Sequence, residues 1–125
     1  MNTLFESNLI NETETVRYPY GYIEYHSPEE DEREDIVYDQ AFWEQPYEWM
    51  MLDYIHVDNE QRGRGRGQRM MTDFLSKFNN YAIILEPAPE EGGEEGFNRL
   101  VKWYKSLGFV QVTPPADHTL VKYPS

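Results

Sequence analysis

The sequence predicts an α+β (mixed α/β) fold, a central and mostly antiparallel sheet with helices packed on it. Three observations lead there. Strand-length apolar runs recur along the chain, at Val16 to Tyr25, Trp49 to Val57, Tyr81 to Leu85, Phe109 to Val112 and Leu120 to Tyr123. Two other stretches carry apolar residues at helical spacing: Met70, Met71, Phe74, Leu75 and Phe78, then Phe97, Leu100, Val101, Tyr104 and Leu107. Between the strand ending at Val57 and the first of those helices lies Gln61-Arg62-Gly63-Arg64-Gly65-Arg66-Gly67-Gln68, a glycine-rich turn that completes a strand–loop–helix unit.

The elements follow in order. Residues 1–14 carry weak patterning and read as a short edge strand or a loose arm. Val16, Tyr18, Tyr20, Tyr22, Ile23 and Tyr25 form one or two strands, with Pro19 and Gly21 marking a bend or an edge. The acidic run from Pro28 to Asp35 reads as a solvated hairpin tip, with an acceptor-steering lip as the alternative. Ile36-Val37-Tyr38 begins the next strand, which Ala41-Phe42-Trp43 continues until Pro46 interrupts it. After the strand to Val57, the glycine loop and the helix to Phe78, Asn79-Asn80 supplies a C-cap. Tyr81 to Leu85 is almost wholly apolar, the pattern of a strand buried on both faces. Pro87 to Gly96, rich in proline, glycine and acid, reads as a flexible loop. The next helix ends at Gly108, a C-cap position. The strand Phe109–Val112, a turn over Pro114 to Asp117 and a last strand to Tyr123 complete the chain. No helical stripe is evident before Met70, and no repeat or linker divides residues 1–125, which read as one domain.

Composition narrows the function. The formal net charge of −12 makes nucleic acid an unfavourable ligand for the surface as a whole. Four of the seven arginines lie between Arg62 and Arg69, so positive charge is gathered at one loop while acid dominates elsewhere. That separation suits one anionic ligand and one cationic substrate. With no cysteine, disulfides, thiolate nucleophiles and cysteine-ligated metals drop out together. His26, His56 and His118 share no metal-ligand spacing, and the carboxylates lack the calcium-loop pattern, so no metal is expected. The N-terminus lacks a basic region followed by an apolar run, and nothing reaches the length of a membrane span. A cytoplasmic location is the expectation.

The glycine loop sits where backbone N–H groups lack helical acceptors and the helix dipole is positive. Glycine lets the main chain approach a bulky anion, and the arginines add charge-assisted contacts to phosphate oxygens. Arg62, Gly63, Arg64, Gly65, Arg66, Gly67 and Gln68 therefore read as a pyrophosphate cradle. A nucleotide P-loop is excluded because no lysine or hydroxyl residue follows, and the glycine spacing is not Gly-x-Gly-x-x-Gly. A basic arginine–glycine segment for nucleic acid is the competing reading, but such segments are long and disordered, whereas strong apolar periodicity flanks this one.

Arg62-x-x-Gly65-x-Gly67, after a strand ending in Val57, resembles the acetyl-CoA signature Arg/Gln-x-x-Gly-x-Gly/Ala of the GCN5-related N-acetyltransferase (GNAT) superfamily. Trp103-Tyr104-Lys105-Ser106-Leu107-Gly108-Phe109 is similar to its C-terminal Phe-Tyr-x-x-x-Gly-Phe motif. Gly21-Tyr22-Ile23-Glu24-Tyr25, the acidic turn and Asp53 to Val57 resemble a phage branch of the family, the type V anti-CRISPR acetyltransferases. The resemblance implies acetyl-CoA as cosubstrate and a sheet whose fourth and fifth strands splay apart, here Trp49–Val57 and Tyr81–Leu85. The family's two helices between its first and second strands find no counterpart in the pattern, which implies a pared-down member.

The same resemblance distributes the chemistry. Ile55, His56 and Val57 would pair edge-on with the pantetheine amides. Tyr104 matches the tyrosine that protonates the leaving thiolate, and Asn98 lies near a cofactor-contacting asparagine. Candidates for the general base are Glu86 and Asp53, with His56 behind them. With no serine elbow and no thiol, direct attack by the acceptor is favoured over an acyl-enzyme. The acceptor would be a primary amine, either a protein lysine or a small cationic amine. The alternative from another class is a non-catalytic acidic protein that sequesters a basic partner or mimics DNA.

Overall fold

The computed structural model describes residues 13–58, 63–89, 92–112 and 118–125. Its longest strand, β3 (Glu48–Val57), lies between β2 (Gly21–His26) and β4 (Tyr81–Leu85). The strand β1 (Glu14–Tyr18) flanks β2, while β5 (Val110–Gln111) and β6 (Leu120–Lys122) extend the sheet beyond β4. One six-stranded sheet results, in the order β1-β2-β3-β4-β6-β5. Every neighbouring pair is antiparallel except β3 and β4, which run parallel. The mixed α+β architecture read from the sequence is thus the one observed.

Among the described residues four helices accompany the sheet: α1 (Glu30–Ile36), α2 (Gln40–Trp43), α3 (Arg66–Lys77) and α4 (Gly93–Ser106). Helix α3 buries Met70, Met71, Phe74 and Leu75, one stripe at helical spacing. It meets Ile23, Met50, Leu52, Ile83 and Leu85 of the sheet, and Tyr104 of α4, in the larger core cluster. At about 1.5–3 kcal/mol per buried large side chain, this stripe outweighs the cost of two glycines at the helix start. The opposite face carries a second cluster, in which Val37, Phe42 and Trp43 pack on Trp49, Ala82, Ile84 and Val121. Tyr81–Leu85 faces both clusters, as its continuous apolar pattern predicts.

Several expectations are corrected. The acidic run is not a hairpin tip: Glu30–Ile36 is helical and contributes no buried residue. Glu32 Oε1 accepts the Glu29 backbone N–H at 2.7 Å, the reaching-back half of a capping box. Ile36 to Tyr38 and Ala41 to Trp43 do not form a strand. Asp39 accepts the Ala41 N–H at 3.0 Å and starts the short helix α2, whose Trp43 Nε1 donates to the Val37 carbonyl at 2.9 Å. Among the described residues two helical segments therefore precede α3. Helix α4 begins at Gly93, inside the stretch read as a loop. The edge strands are shorter than expected, and the turn at Pro114 to Asp117 and the arm over residues 1–12 lie outside the described residues.

Two details of the sheet position the site. Gly21 pairs with Val57, and a Cβ there would stand 2.0 Å from the His56 carbonyl oxygen, so only glycine lets β2 approach β3 at that point. A β-bulge then interrupts the β2–β3 ladder. Glu24 pairs with Tyr54 but Tyr25 pairs with Leu52, leaving Asp53 as an extra residue. The bulge switches the parity of β3: Met50 and Leu52 face the α3 side before it, Ile55 and Val57 after it.

Candidate functional site

Strands β3 and β4 pair from Glu48↔Tyr81 to Met51↔Ile84 and then part. Beyond that point β3 runs on to Val57 beside β2, while β4 ends at Leu85. The gap opens a cleft of about 570 Å³. The parted strands line it with Leu52, Asp53, Tyr54, Ile55, Val57, Leu85 and Glu86, the glycine loop with Gly63, Gly65, Arg66 and Gly67. Helix α4 closes the far wall with Gly96, Arg99, Leu100, Trp103 and Tyr104.

Gly65 is the N-cap of α3 at φ 72°, the left-handed region that glycine enters without a Cβ penalty. Among the described residues no side chain caps this helix, and no acid occupies its first turn. By contrast, α1 has its capping-box bond, Asp39 caps α2, and α4 carries Glu94 and Glu95 in its first turn. The N-terminus of α3 is thus the helix end suited to an anion. Gly67 carries a different message. A Cβ there would lie 3.7 Å from Val57 Cγ2, an ordinary contact, and its φ is not left-handed. The fold does not require glycine at 67, which lines the cleft without a side chain.

The remaining cofactor candidates divide. Ile55 and Val57 line the cleft, while His56 lies on the other face, its ring 5.1 Å from Tyr22 and its Nε2 3.5 Å from Asp58 Oδ1. Arg66 lines the cleft with its guanidinium 4.9 Å from the Tyr20 ring centroid. Gln68 Oε1 accepts from Trp103 Nε1 at 2.8 Å, a bond that ties α3 to α4 beside the cleft. Arg64 and Asn98 are exposed and outside the cleft lining, and Arg62 lies outside the described residues.

Of the catalytic candidates, Tyr104, Asp53 and Glu86 converge on the cleft. Tyr104 is 4 % exposed, packed 5.6 Å from the Phe109 ring, and burial pushes its phenol up to about 12. It therefore holds its proton at neutral pH, the form that can give a proton and cannot take one. Glu86 Oε2 accepts from Thr119 Oγ1 at 3.4 Å. The bulged Asp53 carboxylate is held by His26 Nδ1, 2.8 Å from Oδ2 and 3.0 Å from Oδ1. His26 Nε2 in turn lies 2.9 Å from Glu32 Oε1. The composition-level reading passed over His26, Glu32 and Arg99. Among the described residues no group of three His, Cys, Asp or Glu has metal-holding geometry, and no helix is long and apolar enough to cross a membrane.

A parallel pair that parts beside an uncapped, glycine-led helix N-terminus defines the fold of the GNAT acetyltransferases, and solved structures of that class superpose on the chain. The anti-CRISPR protein AcrVA5 matches over 87% of this chain and 95% of its own, at 20% identity and a TM-score of 0.52. A GNAT-family protein from Bacteroides thetaiotaomicron matches over 86% of this chain and 56% of its own, at 18% identity and a TM-score of 0.56. The GNAT N-acetyltransferase YhbS from Escherichia coli, solved with CoA, matches over 94% of this chain and 62% of its own, at 12% identity and a TM-score of 0.54. The chain thus spans nearly all of the first and about three-fifths of the other two. No protein-family model and no curated protein matches the sequence.

Proposed function

We propose that this chain is an acetyl-CoA-dependent N-acetyltransferase of the cytoplasm that acetylates a primary amine by direct attack. The observation that carries the reading is the coincidence of the parted strands with the N-terminus of α3, which no side chain of the described residues caps and where Gly67 meets no demand of the fold. Acetyl-CoA is an elongated thioester with a diphosphate at mid-length. The first-turn N–H groups of α3 and the guanidinium of Arg66 suit that diphosphate, and the main chain of Ile55 to Val57 suits the amides of its arm. Tyr104 supplies a proton to the departing thiolate, and Asp53 or Glu86 stands ready for the acceptor's proton. AcrVA5 and YhbS lend the reading their fold, and the CoA bound to YhbS lends it a ligand of the same class. The chain's net charge of −12 favours a cationic acceptor, a protein lysine or a polyamine-like amine, over a nucleic acid.

Thermal unfolding with and without acetyl-CoA tests this reading. A ligand that binds only the native state raises the midpoint, by about 2.7 kcal/mol of stabilisation at a hundredfold excess over Kd. An unchanged midpoint at saturating acetyl-CoA would favour the non-catalytic acidic binder instead.

A further inference from the structure

Three ionisable side chains from three elements form a chain that ends at Asp53, a residue of the cleft lining. Asp53 is the extra residue of β3 at the bulge, and its carboxylate meets His26 of β2. His26, the last residue of β2, has a side chain only 15 % exposed and fills the space between two carboxylates. Its Nδ1 lies 2.8 Å from Asp53 Oδ2 and its Nε2 2.9 Å from Glu32 Oε1. Glu32 is itself fixed, because the same Oε1 accepts the Glu29 N–H at 2.7 Å. As imidazolium the ring donates to both carboxylates; as the neutral Nε2–H tautomer it keeps its bond to Glu32, which holds Nδ1 toward Asp53.

We infer that Asp53 takes a proton from the ammonium of an aliphatic amine acceptor, and that His26, clamped by Glu32, positions Asp53 and receives that proton. The inference rests on the acetyltransferase reading and deepens it by naming the histidine that positions the base and receives the acceptor's proton. An aliphatic amine has a pKa near about 10.4 and arrives almost wholly as ammonium at neutral pH, so it cannot attack until a proton leaves. The protons balance as follows. One N–H bond of the ammonium breaks, its proton passes through Asp53 Oδ to the neutral Nδ1 of His26, and the freed nitrogen lone pair attacks the thioester carbonyl. The C–S bond then breaks with a proton from Tyr104 going to sulfur, and the nitrogen's second proton restores Tyr104. The proton on His26 returns to solvent, one per turnover, as the overall reaction requires.

The charged groups facing the His26 ring are Asp53 from β3 and Glu32 from α1, and among the described residues no others act on it. Burial lowers its pKa, but the hydrogen bonds and charges of Asp53 and then Glu32 outweigh that and raise it above the ordinary histidine value. Only the neutral ring can accept a proton, so activity rises as pH climbs through the raised pKa.

Two readouts test this. The first needs no turnover: NMR titration of the His26 ring in the wild type, Glu32→Gln and Asp53→Asn. A wild-type value above that of ordinary histidine, lowered in both variants, is the expected result. A value at or below the ordinary one, or one unmoved by Glu32→Gln, overturns the inference. The second is the pH profile of kcat/KM with spermidine and with a lysine-containing peptide as probe amines. His26→Gln should lower kcat on the order of 10²-fold with little change in KM and remove the acidic limb. Glu32→Gln, which keeps shape and can still accept from Glu29, should move that limb to lower pH; a purely structural glutamate would leave it in place. Acetyl-CoA raising the midpoint with neither amine consumed overturns the inference alone. Absence of that thermal shift overturns the acetyltransferase reading itself, and the titration still decides whether the clamp exists.

Discussion

The two halves of β3 obey different rules. From Glu48 to Met51 the strand is flanked by paired neighbours, with β4 along one edge and β2 reaching Met51 on the other, and core lies on both faces. Trp49 there sits 4.8 Å from the Phe42 ring and 4.9 Å from Trp43. From Leu52 to Val57 the strand keeps β2 but loses β4, and its residues line a cleft. One strand thus gives its first half to the core and opens a cleft with its second. The lesson is that a cleft arises where pairing stops, and that the paired half must hold the parted half open.

Substitutions can break that contrast at either end. Trp49→Ala should be the most damaging, removing about 3–5 kcal/mol and lowering the melting midpoint on the order of 10–20 °C. Calorimetry checks it, and below the lowered midpoint acetyl-CoA should still stabilise the variant. On the parted side, Tyr104→Phe should leave the midpoint and its acetyl-CoA shift nearly intact while cutting kcat roughly 10²-fold. Equal loss of stability, binding and turnover would make Tyr104 a core residue only. Gly67→Ala should separate fold from ligand within one residue. Alanine is the better helix former by up to about 1 kcal/mol, so the midpoint should hold or rise while titration calorimetry shows acetyl-CoA binding weakened roughly tenfold.

The smallest effect is a matter of pH. His26 has a raised pKa in the folded chain, so its clamp contributes stability that is fully present below the unfolded histidine pKa. That contribution is lost as pH rises through the folded value. His26→Gln should therefore flatten the stability profile in that window, as measured by urea denaturation at a series of pH values.

Much of this architecture is legible in the sequence because packing writes a period into it. The stripe from Met70 to Leu75 and the continuous run Tyr81 to Leu85 are buried as their spacing predicts. The glycine loop was legible for another reason: Gly65 answers a left-handed backbone, and such positions admit few other residues. Helix α1 was not legible, since it buries nothing and so displays no apolar period. The spacing Glu29-x-x-Glu32 was the available signal, a capping-box interval hidden within a run of acids. Helix α2 is too short for any period to show, and its aromatic pair reads equally well as strand. The meeting of His26 with Asp53 had no local signal, because it depends on strand register across 27 residues and on a bulge that alternation does not announce.

That bulge also sets the phase of the strand beyond the fork. Leu52 to Val57 spans the same stretch of ladder as Tyr25 back to Gly21, so the surplus residue at Asp53 is absorbed as a local kink and not as added length. Deleting Asp53 would let the ladder heal without turning Ile55 or Val57 away from the core, since the surplus position alone accounts for their odd-numbered phase. What the deletion would remove is the one carboxylate that β3 brings to the cleft, so a single inserted amino acid supplies charge there without disturbing the face that packs on the core.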